Sequence, residues 1–486
     1  MHGVSLKRAA RPERYSFALW IICGLIEFTD AHTLLQSYSF SRKLNEAEWK
    51  TLRSYTRRVH FILGFSTHFG SLDDNSIRAI FNPPSADPLF PNLRSLYWRD
   101  VTSFPVVHVA VPSLTSLTLH VHFYPGGGCL SRHFLDTAAD LCPNIRQFRI
   151  YMSRPHPLDE TISRHVGRWM NLQVVDSHNV ALNVDAITHL SSMSTLTRLS
   201  FTLSAKLAEH ISDLDFPFVF SRLAHLEIHS ESLASIGGLL PHIQLPVVKG
   251  LVAKAWSSPS KQIVETYLTT IRNACPSDTL THLKLLDIGD QMRNPIHLDP
   301  QTHYHLTLDV LIPCTAFTNL RGIHINLKWC VDLTDADLLV LASASPLLEH
   351  LIINDMWGWR TQGGITLDGL LQLLRACPLL YDMCFAIDTL TFTQIPDGLD
   401  VGFPARRRLW MNVVDSDIDA EDVPGLVSMF TEIKLEPALF MAWSGADMKH
   451  LAGARAARPL WEDVNNQVKG AFVGEPVVSE LLDRNW

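Results

Sequence analysis

The stretch "CVDLTDADLLVLASASPLLEHLIIND", Cys330 to Asp355, carries two periods in succession. Thr334 opens a segment whose Leu338 and Leu341 share one helical face, and its hydroxyl can accept a free N–H of the first helical turn. Pro346 stops that helix. Two residues later Leu348, Leu351 and Ile353 begin a short strand with its first, fourth and sixth positions apolar. One helix and one strand of this size cannot bury their apolar sides alone. Either they belong to an ordinary domain with an active site, or they are one copy of a repeat and the chain is a surface for holding something else.

The remaining sequence answers for the repeat. The pattern L-x-x-L-x-L returns as "LRSLYW" (Leu93), "LTSLTL" (Leu114), "IRQFRI" (Ile145), "LQVVDS" (Leu172), "LTRLSF" (Leu196), "LAHLEI" (Leu223), "VKGLVA" (Val248), "LTHLKL" (Leu280), "LRGIHI" (Leu320), "LEHLII" (Leu348) and "LYDMCF" (Leu380). These eleven copies are 21 to 40 residues apart, about 29 on average, at the top of the leucine-rich-repeat range. Pro91, Pro112, Pro143, Pro346 and Pro378 each precede a copy by two residues. Between copies the spacing is helical. In "SKQIVETYLTTIRNA" the residues Ile263, Val264, Tyr267, Leu268 and Ile271 share a face, and "TLDGLLQLLRA" begins at a second N-cap, Thr366. The copies at Leu172, where Ser177 takes an inward place, and at Val248 are weak. The 40-residue step into Leu320 implies an insertion, "DIGDQMRNPIHLDPQTHYH", and a further copy at "RRRLWMNVVDS" is too degraded to count. A doubly wound α/β domain also alternates strands and helices, but it does not repeat at a near-constant period, and no glycine-rich phosphate loop is present. The expected fold is therefore an α/β leucine-rich-repeat solenoid, a horseshoe with a parallel concave sheet. Inward Leu96, Leu117, Leu199, Leu226, Leu283 and Leu351 should form its spine.

Composition agrees. A chain of 486 residues that is 47% hydrophobic can bury a large core, and is too long for one compact domain unless it is a barrel or an array. Charged residues at 19% speak against wholesale disorder. The net charge of −8 gives no bulk attraction to nucleic acid or anionic membrane, although protonation of all 23 histidines would reverse its sign. Eight cysteines form no C-x-x-C, and Cys142, Cys275 and Cys377 each precede proline, a structural setting. A reducing compartment, cytoplasm or nucleus, is expected. No apolar span is long enough for a membrane helix. Lys7, Arg8, Arg11 and Arg14 before "YSFALWIICGLIEF" resemble the start of a signal peptide. No small-residue cleavage site follows, and Glu27 and Asp30 come soon after, so a buried helix or a misplaced chain start is the reading.

The segment "LKWCVDLTDADLLVLASASPLLEHL" resembles the cysteine-containing leucine-rich repeat of F-box proteins. Cys330, Leu333-Thr334-Asp335, Leu338, Leu341, Ser345-Pro346, Leu348 and Leu351 stand at that pattern's places. "GITLDGLLQLLRACPLLYDM" repeats it with Cys377-Pro378, with Leu367 interposed between Thr366 and Asp368. "LNEAEWKTLRSYTRRVHFI" is similar to the helical lead-in of fungal F-box-like proteins. Asn45 and Glu48 can form a capping box there, and Trp49, Leu52, Tyr55, Val59 and Ile62 form one stripe. The resemblance implies a receptor that brings a target protein to a ubiquitin ligase. A family F-box opens with Leu-Pro and ends near Cys-x-x-Trp, and residues 1–40 show neither. Binding to the cullin-ligase adaptor is thus expected only if a divergent or missing F-box is present. A free-standing leucine-rich-repeat interaction protein stays open as the alternative.

No catalytic motif stands up: there is no G-x-S-x-G and no H-E-x-x-H, so neither an enzyme nor a cofactor is expected. "GGG" at 126–128 lacks the Lys-Ser/Thr of a phosphate loop and reads as a turn. His120/His122 and His303/His305 are paired on a strand side, but no third ligand is identifiable, and no metal is expected. "DSDIDAED" (415–422) begins like an EF-hand loop but has Ala420 in place of Gly and Leu426 in place of Glu, and reads as a solvated acidic loop. Arg406, Arg407 and Arg408 read as a strand entry or a solvated edge.

What remains is the concave face, to which alternation assigns the third, fifth and seventh positions of each copy. There Tyr97, Arg99, His120, Arg149, Tyr151, Asp176, His178, His229, His324, Asn326 and Asn354 are the candidate contacts for an unknown target protein. Third positions include Gln147, Arg198, His225, His282, His350 and Asp382. The expected organisation is an atypical segment at 1–40, a helical cap at 41–88, the solenoid at 89–445 and a C-terminal cap at 446–486. "RPLWEDVNNQVKGAF" should give a short closing helix in the last of these.

Overall fold

The computed structural model describes residues 44–64, 84, 87–99, 109–121, 132–152, 159–211, 217–289, 304–360, 364–389, 407–432, 435–441 and 454–472. The expectations for residues 1–40, for "GGG" 126–128, for His122 and His303 and for most of the 287–305 insertion lie outside the described residues. The chain divides into two compact units, Met1–Thr202 and Leu203–Trp486.

The first unit opens with the helix Glu46–Thr56, closed by a reciprocal capping box. Glu48 N–H donates to Asn45 Oδ1 at 2.9 Å, and Asn45 N–H donates to Glu48 Oε2 at 2.8 Å. Trp49 and Leu52 are buried, but Tyr55 is exposed. The stripe does not run on as one helix, because the chain turns after Thr56 and places Ile62 on the strand Phe61–Gly64. Strands Phe61–Gly64, Ser95–Arg99, Ser116–Val121, Gln147–Met152, Val174–Ala181 and Arg198–Leu203 then pair in parallel, each with the next along the chain. Their fourth positions align as Ile62, Leu96, Leu117, Phe148, Val175 and Leu199. The last five of these are buried, each contributing about 1.5–3 kcal/mol on transfer from water. At the weak copy, buried Ser177 donates to the Ser200 carbonyl at 3.1 Å, and pairing slips between Asp176 and Ala181.

Register is set by one repeated bond pattern. The carbonyl of the second position accepts two N–H groups from the next copy: Arg94 O from Thr115 and Ser116, and Thr115 O from Arg146 and Gln147. The second unit repeats it, with Ala224 O accepting from Lys249 and Gly250, and Arg321 O from Glu349 and His350. A one-residue slip would move every apolar side chain to the opposite face, so this anchoring and the burial of the spine specify the same pairing.

In the second unit the strands His225–Ser230, Gly250–Ala255, His282–Asp287, Gly322–Asn326, His350–Ile353, Asp382–Cys384, Arg407–Asn412 and Leu435–Met441 are parallel and follow chain order. Their spine runs Leu226, Leu251, Leu283, Ile323, Leu351, Met383 and Met411, all buried. Helix Lys261–Ala274 buries Val264, Tyr267, Leu268 and Ile271, while Thr334 and Thr366 cap Asp335–Ala344 and Leu367–Ala376. The degraded copy is a strand after all. Leu409 and Met411 are both buried there, so plain alternation replaces L-x-x-L. The register shift between Leu409 and Trp410 leaves the extra residue on the partner strand Leu435–Met441. Pro437 lies in Leu435–Met441, the edge strand of this sheet among the described residues, where one side needs no ladder bond. The helix Ala454–Ala471 packs on that strand, longer than the short helix expected, with Trp461, Val464 and Val468 buried. A doubly wound sheet would reverse its strand order once. Neither unit does, and each is an α/β leucine-rich-repeat solenoid.

Candidate functional site

On the first unit's sheet face opposite the buried spine, four side chains from successive strands stand in line. The rings of Tyr97 and His120 are 4.9 Å apart, those of His120 and Tyr151 are stacked at 4.4 Å, and those of Tyr151 and His178 are 6.3 Å apart. Parallel pairing generates this row: His120, Tyr151 and His178 hold one register position, and strand spacing of about 4.8 Å brings flat rings into contact. All four are half-buried. Tyr151 donates its hydroxyl to Asp176 Oδ2 at 2.6 Å, and burial followed by that bond pushes the phenol's proton loss well above its ordinary range. Arg149 lies in the neighbouring row and donates to Gln147 Oε1 at 3.1 Å. The backbone of Arg99 lies opposite His120.

The candidates in the second unit divide. His324 stands half-buried with its Nε2 3.1 Å from Asp355 Oδ1. His229, Asn326 and Asn354 are fully buried, which corrects their assignment as contact residues. Strict alternation holds only within a strand, and Asn326 and Asn354 sit at or just beyond a strand's end. His229 lies inside the strand His225–Ser230 but is covered there, its ring against Glu227. Asn354 has φ of 56°, accepts from Leu327 N–H at 2.8 Å and donates to the Trp329 carbonyl at 2.9 Å. It thus ties down the loop between copies. His229 Nε2 lies 2.8 Å from Glu227 Oε1, which also meets Lys254 Nζ at 2.6 Å. Burial alone would raise the Glu227 carboxyl, but His229 and Lys254 outweigh it and hold it well below the usual carboxylate range. Asp415, in the loop expected to be solvated, instead accepts from the N–H groups of Trp359 and Arg360 at 2.7 and 2.6 Å.

The third positions of the second unit hold a row that the candidate set omitted: His225, Gly250, His282, Gly322, His350 and Asp382 on consecutive strands. Each glycine pairs in register with a histidine on either side, and a Cβ on Gly250 would come within 2.6 Å of His225 Nδ1. The His282 and His350 rings are 6.5 Å apart, and His350 reaches Asp382 at 3.3 Å and the Tyr381 hydroxyl at 2.7 Å. Alternation places His225, His282, His350 and Asp382 at third positions, and the interposed glycines are the sequence signal that marks them as one row. Among the described residues no group of His, Cys, Asp and Glu is arranged to hold a metal ion. A groove of about 500 Å³ in this unit is lined by Leu240, Ile243, Leu245, Thr270, Asn273 and Pro276 among others, with no acid or base. No helix among the described residues is long and apolar enough to cross a membrane.

Chain-ordered parallel strands, a leucine spine and capped connecting helices define the class as leucine-rich-repeat. Similar solved structures include an internalin from Listeria monocytogenes, at 10% identity and TM-score 0.33 over 83% of this chain and 92% of that one. The Rad7 and Elc1 complex in yeast matches at 12% identity and TM-score 0.41, over 79% and 86%. The leucine-rich-repeat-containing protein LegL7 from Legionella pneumophila matches at 12% identity and TM-score 0.29, over 86% and 98%. Nothing about partner or activity follows from similarities of that size. No family model matches the chain, and no curated protein matches it.

Proposed function

We propose that the chain is a protein-recognition scaffold whose target docks on the open sheet face of the first unit, across Tyr97, His120, Tyr151 and His178. The stacked row carries this reading. Its rings are already ordered by their neighbours, so a partner loses less freedom in immobilising them than it would with isolated side chains. They also present flat apolar faces beside polar atoms, the usual composition of an interface anchor. The finer reading is delivery of that target to a ubiquitin ligase in the cytoplasm or nucleus, and it rests on the resemblance of residues 330–351 to F-box-protein repeats. The test pairs target capture by the intact chain with capture by a variant carrying His120→Ala, Tyr151→Ala and His178→Ala. Loss of capture with an unchanged melting curve supports the docking face, and undiminished capture removes it. Calorimetry against the purified cullin-ligase adaptor tests the ligase link separately, beside a version with a donor F-box placed before Leu44. Micromolar or tighter binding by the unaltered chain supports the link, and binding by the donor version alone leaves a free-standing scaffold.

A further inference from the structure

Charge on and beside the first unit's open face is one-sided. Arg149 and Arg198 stand on the face, and Arg94 and Arg146 stand exposed where two of its strands begin. Among the described residues none of these four arginines forms an ion pair, and Arg149 gives one donor to a neutral amide. The one carboxylate on the face among the described residues, Asp176, already accepts the Tyr151 hydroxyl. This positive strip lies on a chain whose net charge is −8, so it is a local arrangement and not a reflection of composition.

We infer that the partner lays an extended Asp/Glu-rich segment along this face. The inference rests on the docking reading above and adds the partner's chemistry. Arg149 and Arg198 come from strands separated by the one carrying Asp176 and stand two residues out of register, which sets their backbones roughly 12 Å apart at normal strand spacing and rise. A single phosphate is gripped by guanidinium groups converging on one point. Guanidinium groups spread along a line instead suit successive carboxylates of an extended chain, while the rings beside them take the apolar stems. Opposed charge steers such a segment in and excludes basic ones.

Fluorescence anisotropy on the full chain tests this with a labelled peptide of alternating Glu and Ala, its Lys/Ala counterpart, a peptide with one phosphoserine, and a short single-stranded RNA. The Glu peptide should bind, the Lys peptide should not, and affinity should fall about tenfold or more between about 50 and 300 mM salt. Arg149→Glu with Arg198→Glu should reduce Glu-peptide affinity at least about tenfold. If that chain fails to fold, Arg94→Gln with Arg146→Gln, at exposed positions, should show the same direction of loss. Equal binding of the Lys peptide, or charge reversal without effect in a folded chain, overturns the inference. So does tighter binding of the phosphopeptide or the RNA. If no peptide binds while His120→Ala with Tyr151→Ala still abolishes target capture, the acidic segment is wrong and the docking face stands. If that variant captures the target normally, the docking face itself is wrong.

Discussion

The carboxylate of Asp335 fills the space that Gly369 leaves open on the neighbouring helix. It accepts from Thr366 N–H at 3.0 Å and from the Thr366 hydroxyl, which in turn accepts from Gly369 N–H at 3.1 Å. The first residue of one helix thereby holds the cap of the next. A Cβ on residue 369 would overlap that carboxylate. Gly369→Ala should therefore destabilise by about 1–3 kcal/mol although alanine is the better helix former. Asp335→Ala combined with Gly369→Ala should cost less than the sum of the two changes. Thermal melting of the three variants decides it, and strict additivity would disprove the contact.

Leu226 is the first residue of the second unit's spine and is buried. Leu226→Ala should lose about 2–5 kcal/mol, because the neighbouring copies limit collapse of the cavity. Denaturant unfolding followed by tryptophan fluorescence measures it. A loss under about 1 kcal/mol would mean that the site is not packed as described.

Asn354→Ala would remove the partners of Leu327 N–H and the Trp329 carbonyl and would place alanine at a φ of 56°. Unsatisfied buried groups cost about 1–3 kcal/mol each, and the left-handed backbone adds about 1–2. Asn354→Gly removes only the strain and should recover about 1 kcal/mol of the loss. Equal stability of the two variants would exclude a backbone contribution.

Burial, then His350, pushes His282 down from 6.5 to about 4. The unfolded chain takes up this proton first, so stability is intact above pH 6.5 and falls as pH drops toward about 4. His282→Gln should flatten that limb of the melting-temperature profile. His225, His350, Lys284 and Glu349 also act on His282, so the profile should change shape without vanishing. An unaltered acid limb would show that His282 titrates normally.

Much of this fold was legible because repetition makes each signal checkable against its neighbours. Thr334, Thr366 and the Asn45–Glu48 box were readable as caps, since cap chemistry is local. The strands Phe61–Gly64 and Arg407–Asn412 were not, since their inward residues lack the L-x-x-L frame and only pairing with a neighbour defines them. In the candidate site, alternation placed His120, Tyr151 and His178 correctly in one row. It failed at Asn326 and Asn354, where the chain leaves the strand and side-chain direction is set by the loop, and at His229, which neighbouring side chains cover. The stacking itself depends on rotamers, which no sequence period encodes.

The Cys-Pro junctions have a chemical consequence. Cys142, Cys275, Cys314, Cys377 and Cys384 are buried, and burial pushes the first three thiols up to about 12. Alkylating reagents attack thiolate, so these sulfurs stay silent while their surroundings are closed. Each becomes a clock for its own repeat. The rate at which a reagent tags Cys142 times the opening of the first unit, and the rates at Cys275 and Cys377 time two separate places in the second. Mass spectrometry of partly labelled chain would then show whether the repeats open together or fray one after another from an end.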